Sequence, residues 1–173
     1  MGGKMNIIQV VGYKNSGKTT LVEKIIRYFT KNGLQIGSIK HHGHGGKLES
    51  VEGTDSVRHQ KAGALLSTVQ GDGEVQLFAH GEEWSLAKIV QLYEFLNVRK
   101  VIIEGYKKEG YPKIVLIKND NDLNMLDELS NIIAVICWDN VVFKNNNGIP
   151  TFYLEEDERF IHWLWEEVSK ENE

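Results

Sequence analysis

Gly12-Tyr13-Lys14-Asn15-Ser16-Gly17-Lys18-Thr19-Thr20 decides how this chain is read. The run fits G-x-x-x-x-G-K-[ST], and its positions have chemical reasons. Gly12 and Gly17 let the backbone curl until successive N–H groups converge on phosphate oxygens, with Lys14, Asn15, Ser16 and Thr20 completing the cradle. Lys18 brings a positive charge to the β/γ-phosphates, and Thr19 offers a hydroxyl to Mg²⁺. A helix starting here adds unpaired N–H groups and the positive end of its dipole.

The flanks supply the context that such a loop requires. Asn6-Ile7-Ile8-Gln9-Val10-Val11 is a β-branched run suited to a buried parallel strand. After the loop, Leu21, Ile25, Ile26 and Phe29 recur at helical spacing, with Glu23, Lys24, Arg27 and Lys31 on the other side and a stop at Asn32-Gly33. Strand, glycine loop and helix follow in the required order.

Strand-like and helix-like segments alternate over the rest of the chain. Segments 35–40, 101–103, 113–117, 132–136 and 151–153 read as strands. Segments 64–70 and 74–79 form a hairpin through Gly71-Asp72-Gly73. Helices are expected from Thr54 or Asp55 to Gly63, after Ser85, and from Glu155 onward. The expected fold is α/β, a P-loop NTPase three-layer sandwich with a mostly parallel sheet and helices on both faces. Residues 5–173 are expected to form a single nucleotide-binding domain, and residues 1–4 to be an added leader.

Composition narrows the function. The formal net charge of −4 leaves no basic surplus for a general nucleic-acid binder. No apolar stretch is long enough to span a bilayer, and the single cysteine, Cys137, lies in an apolar run, as an inert core thiol of a cytoplasmic protein would.

Ligands of open α/β sheets sit at the carboxyl ends of the strands, which points to further candidates. Glu104 ends an apolar strand, where a second carboxylate for Mg²⁺ belongs. Asp55 is either a helix cap or a catalytic switch carboxylate that orients metal or water. Arg58 and His59 share its helical face. Lys40, His41 and His44, with His42 and Lys47, suit an anion-contacting loop better than a metal site, since no cysteine completes a ligand set. Lys107, Lys108 and Lys113 form a second basic segment. Asn119-Asp120-Asn121-Asp122 reads as a turn, and Asp139 can accept hydrogen bonds from a guanine edge, although adenine stays open.

Four segments in order carry a family resemblance: 12–20; Ser38-Ile39-Lys40-His41-His42-Gly43-His44; 54–63, beginning Thr54-Asp55-Ser56-Val57-Arg58-His59; and Val101-Ile102-Ile103-Glu104-Gly105-Tyr106-Lys107. With these the chain resembles the molybdopterin-guanine dinucleotide biosynthesis protein B family over nearly its whole length from Met5. The resemblance implies a homodimer that binds GTP with Mg²⁺ and hydrolyses it weakly. It also implies a role as accessory to a separate molybdopterin guanylyltransferase, with molybdopterin as a further ligand. It assigns Gly12 to Thr20 to phosphate, Thr19 and Glu104 to Mg²⁺, and Asp55 to a switch-like segment. Some dimeric relatives of the wider class place a lysine directly after the first loop glycine. Here Tyr13 stands there and the lysine follows at Lys14, which implies slow turnover. Two other readings compete: a small-molecule kinase or ATP-dependent ligase on an acidic acceptor, and a metal-delivery protein using the histidine segment.

Overall fold

The computed structural model describes residues 5–43, 55–81, 84–144 and 148–169. These fall into two compact units, one from Met1–Gly43 with Tyr93–Glu173 and one from His44–Leu92.

The first unit is built on a sheet of β1 (Asn6–Gly12), β2 (Ile36–Lys40), β5 (Lys100–Glu104), β6 (Lys113–Ile117), β7 (Ile132–Cys137) and β8 (Thr151–Tyr153). The strand order is β2-β5-β1-β6-β7-β8, and each neighbouring pair runs parallel. Such strands are covered on both faces, so Val, Ile and Leu dominate them. Alternation then sorts the side chains. Ile8, Val10, Ile114, Leu116, Ala134 and Ile136 point to one face, and Val11, Val115, Ile117, Val135 and Cys137 to the other.

Helices α1 (Lys18–Lys31) and α5 (Asp157–Ser169) cover the first face. From α1 come Leu21, Val22, Ile25 and Phe29, while Ile26 is only partly buried; from α5 come Phe160, Ile161, Leu164 and Val168. Each such side chain contributes about 1.5–3 kcal/mol on burial. Lys24 of α1 also donates to the Asp157 carboxylate at the start of α5. The second face is covered by α4 (Met125–Glu128) and the 3₁₀ helix Asp120–Asn124 before it. That 3₁₀ helix replaces the expected simple turn, because the Asn119 side chain caps it by accepting from the Asn121 N–H at 3.1 Å. The result is the expected P-loop NTPase three-layer sandwich.

The second unit holds α2 (Asp55–Lys61), the antiparallel hairpin β3 (Leu66–Gly71) and β4 (Glu74–Ala79), and α3 (Leu86–Phe95) as far as Leu92. Asp72 and Gly73 both take positive φ (47° and 79°), the two-residue turn that suits the twist of a hairpin. The backbone N–H of Lys88 donates to Ser85 Oγ at 3.3 Å, so Ser85 caps α3 as expected. No described helix is long and apolar enough to cross a membrane.

Candidate nucleotide-binding site

Strand β1 delivers the chain to the glycine loop at the carboxyl end of the sheet. A Cβ on Gly12 would lie 2.6 Å from Ser16 Oγ and 3.0 Å from the Leu116 carbonyl, so only glycine fits. Asn15 and Gly17 take positive φ (59° and 95°), which folds the loop back before α1 starts at Lys18. The first turn of α1 carries no acidic residue, so its N–H groups and dipole favour an anion. Within the loop Ser16 is fully buried, and its hydroxyl has no hydrogen-bond partner among the described residues. A buried hydroxyl left so is costly unless a ligand completes it. Phosphate oxygens suit this donor.

Lys18 arcs back over the loop, its Nζ donating to the Tyr13 carbonyl at 2.6 Å. Burial lowers its pKa; the nearby Glu104 charge opposes this, and Lys107 and Lys40 add to the lowering. The amine therefore stands among like charges that an anion would relieve.

Glu104, at the end of β5, is paired in register with Val10 on one side and Lys40 on the other. Its side chain is only 10% exposed. The Thr19 hydroxyl donates to both of its oxygens, at 3.0 and 3.1 Å. Lys40 Nζ lies 3.0 Å from Thr19 Oγ1 and 3.3 Å from Glu104 Oε1. A hydroxyl and a carboxylate converging beside the phosphate loop are hard oxygen donors of the kind Mg²⁺ takes.

Behind Glu104 the backbone turns through Gly105 and Tyr106, both at positive φ (97° and 53°). Sequence reading passed over the residue that holds this turn. Gln9, fully buried on β1, donates from Nε2 to the carbonyls of Gly105 (3.0 Å) and Tyr106 (2.8 Å). The signal was there, since a glutamine inside an apolar strand needs buried partners. His41 stacks on the Tyr106 ring with centroids 4.3 Å apart. Lys107 Nζ lies 3.8 Å from the centroid of Tyr13, which brings the second basic segment to the loop. Lys113 opens the strand expected at 113–117 but does not act with the exposed basic segment. It is fully buried at the start of β6 and donates to the carbonyls of Glu109 and Tyr111, so its charge braces the 106–112 turn and faces no solvent.

Also unforeseen is Trp138, just past β7, whose indole N–H donates to the Ser16 carbonyl. Lys14, Thr19 and Thr20 are exposed at the loop rim. His44 and Lys47 lie outside the described residues. Asp55, Arg58 and His59 belong to the second unit, where all three are exposed and Arg58 Nη1 lies 3.1 Å from Asp55 Oδ1. Cys137 is buried and its thiol is pushed up to about 11 by desolvation, as an inert core residue.

A strand, a glycine loop and a helix N-terminus at the carboxyl edge of a parallel six-stranded sheet define a P-loop NTPase fold. Residues 7–138 match the family model described as molybdopterin guanine dinucleotide synthesis protein B, and the chain belongs to that family. A relative from Bacillus subtilis (strain 168), described as a probable molybdopterin-guanine dinucleotide biosynthesis adapter protein, is 41% identical over 151 residues, covering 87% of this chain and 86% of the relative. The adapter protein of that pathway from Escherichia coli (strain K12) is 30% identical over 124 residues, covering 69% of this chain and 70% of the relative. Among solved structures, Bacillus subtilis MobB is similar with a TM-score of 0.81 and 38% identity, over 94% of this chain and 97% of that one. A MobB homolog from Bacillus stearothermophilus gives 0.78 and 37%, over 96% and 99%.

Proposed function

We propose that this chain binds GTP with Mg²⁺ at the glycine loop, hydrolyses it slowly, and serves as an adapter beside a guanylyltransferase that attaches GMP to molybdopterin. The observation that carries the reading is the loop itself, with its buried unpartnered Ser16 hydroxyl, its free helix N-terminus and the crowded Lys18 amine. The pathway comes from the relatives, which are described as adapter proteins of molybdopterin-guanine dinucleotide biosynthesis.

In this reading the Lys18 amine leaves the Tyr13 carbonyl for the β/γ-phosphates, and Ser16 with the loop N–H groups binds the remaining oxygens. Thr19 and Glu104 would hold Mg²⁺, which supplies neutralisation of phosphate charge. Lys40, His41 and Lys107 line the same rim and suit a second anionic group, such as the phosphate of a pterin ligand. Tyr13 stands where some dimeric relatives of the class carry a lysine, and without such an extra cation hydrolysis is slow.

The homodimer is assigned to the hairpin. Leu66, Val75 and Leu77 share one face of β3 and β4 and are 54%, 64% and 44% exposed. Beside them Leu65, Leu66, Ala79, His80, Gly81, Trp84 and Lys88 line an open cavity of about 630 Å³. A two-stranded ribbon is marginal alone, and a second copy presents the same apolar face. The protein works in the cytoplasm in this reading, as its single buried cysteine suggests.

The test is a nucleotide panel by calorimetry. GTP is expected to bind more tightly than ATP, and Lys18→Ala to weaken GTP binding by roughly 10- to 150-fold, the loss of a charge-assisted hydrogen bond, with an unchanged far-UV spectrum. Unchanged affinity in the variant rejects the assignment of the loop.

A further inference from the structure

Glu104 poses an electrostatic problem that the loop does not solve. Its carboxylate is nearly buried, and an unpaired charge there is costly. The loop's own lysine is engaged elsewhere, since Lys18 donates to the Tyr13 carbonyl. The cation that does meet Glu104 is Lys40, at 3.3 Å from Oε1. The Thr19 hydroxyl closes a triangle, donating its proton to Glu104 and accepting from Lys40 at 3.0 Å. These are the two oxygen donors, hydroxyl and carboxylate, that Mg²⁺ would use.

We propose that Lys40 is a resident cation: in the nucleotide-free protein its ammonium neutralises the Glu104 carboxylate and donates to the Thr19 hydroxyl in place of a divalent metal, and it must withdraw for Mg²⁺ to bind. The inference rests on the reading that a nucleoside triphosphate and Mg²⁺ meet at this loop.

The backbone makes the arrangement specific. Lys40 and Glu104 are register partners in the parallel ladder of β2 and β5, so both side chains leave the sheet at the same end. The next residue is fixed, because the His41 N–H donates to the Glu104 carbonyl at 2.9 Å and its ring stacks on Tyr106. Strand β2 is the sheet edge, and the Lys40 side chain is 59% exposed. The ammonium thus has room to swing out on its four-carbon stem while the backbone stays in place. An ammonium and Mg²⁺ cannot both sit on the same two oxygens, because two cations so close together repel and compete for the same lone pairs, so their occupancies are mutually exclusive. Two consequences follow. Nucleotide binds without metal, because Lys40 offsets the Glu104 charge beside the phosphates. Metal binds more weakly than its ligands alone would allow, because Lys40 competes for them.

Mn²⁺ binding to the GTP-loaded protein, followed by electron paramagnetic resonance, tests this alongside GTP affinity in EDTA. Lys40→Met is expected to lower the Mn²⁺ half-saturation concentration by roughly threefold to tenfold and to weaken GTP binding in EDTA by a similar factor. Lys40→Arg, which keeps the charge, is expected to stay near wild type in both. An unchanged or raised Mn²⁺ half-saturation in Lys40→Met overturns the proposal while leaving the loop assignment intact. GTP affinity that ignores Lys18 removes that assignment, and this inference with it. If Lys40→Met does not fold by far-UV circular dichroism, Lys40→Gln carries the same measurement.

Discussion

The indole N–H of Trp138 donates to the Ser16 carbonyl at 3.0 Å, a contact between residues 122 positions apart. It ties the end of β7 to the middle of the glycine loop across the intervening β6. The Lys118 ammonium sits 4.8 Å from the centroid of the same ring. The indole therefore holds the loop by its edge and a cation by its face.

Trp138→Phe keeps an aromatic face and loses the donor. The missing hydrogen bond is worth about 0.5–1.5 kcal/mol. A melting-temperature drop of about 2–4 °C is expected for a chain of this size, with GTP affinity down several-fold because the loop is less fixed. Calorimetric melts and nucleotide titrations of both proteins check it. An unchanged melting temperature would mean that the loop needs no such tie.

The hairpin surface makes a prediction about assembly. Val75 and Leu77 lie on its exposed face, so the double change Val75→Lys/Leu77→Lys puts two charges where a partner would seat. Sedimentation should report a dimer for the wild type and a monomer for the variant, with Lys18-dependent GTP binding retained. A variant that still sediments as a dimer places the interface elsewhere.

The α1–α5 pair predicts a pH dependence. Lys24 donates to the Asp157 carboxylate, which holds its pKa below the usual carboxylate range despite partial burial. A depressed folded-state pKa stabilises the protein above the unfolded value near ~3.9, and that gain disappears as pH falls through the folded-state pKa. Both side chains keep substantial solvent contact, so the contribution is about 0.2–1 kcal/mol. Asp157→Asn should be less stable than wild type at pH 7 by this amount, and urea melts should show the gap closing once pH lies below the folded-state pKa. A gap that persists there would show that packing, not charge, links the helices.

Much of this architecture was legible because its causes are local. The strands at Lys113–Ile117 and Thr151–Tyr153 sit at their expected bounds, since β-branched and aromatic runs ended by turn residues leave few alternatives. The glycine loop was legible for the same reason, being one contiguous motif. Features that depend on register between distant segments were not. Nothing in the sequence around Lys40 says that it faces Glu104, because that follows only once β2 pairs with β5. Lys113 is grouped by sequence with Lys107 and Lys108, and it is buried because two carbonyls of the preceding turn accept from its amine. Trp138 stood beside an expected strand end, but its partner lies in the loop.

The strand order also sets a schedule for making the molecule. Strand β1 and its glycine loop leave the ribosome before β5 and β6, the strands that β1 pairs with among the described residues. At about 5–20 residues per second, translation takes roughly 5–20 seconds to carry the chain from one to the other. Throughout that interval Ile7, Ile8, Val10 and Val11 have no strand to join, and the loop has no scaffold to hold its shape. Nucleotide therefore cannot template the nascent chain before β5 and β6 have joined β1. Until then β1 is an unpaired apolar strand of the kind that aggregates unless it is covered.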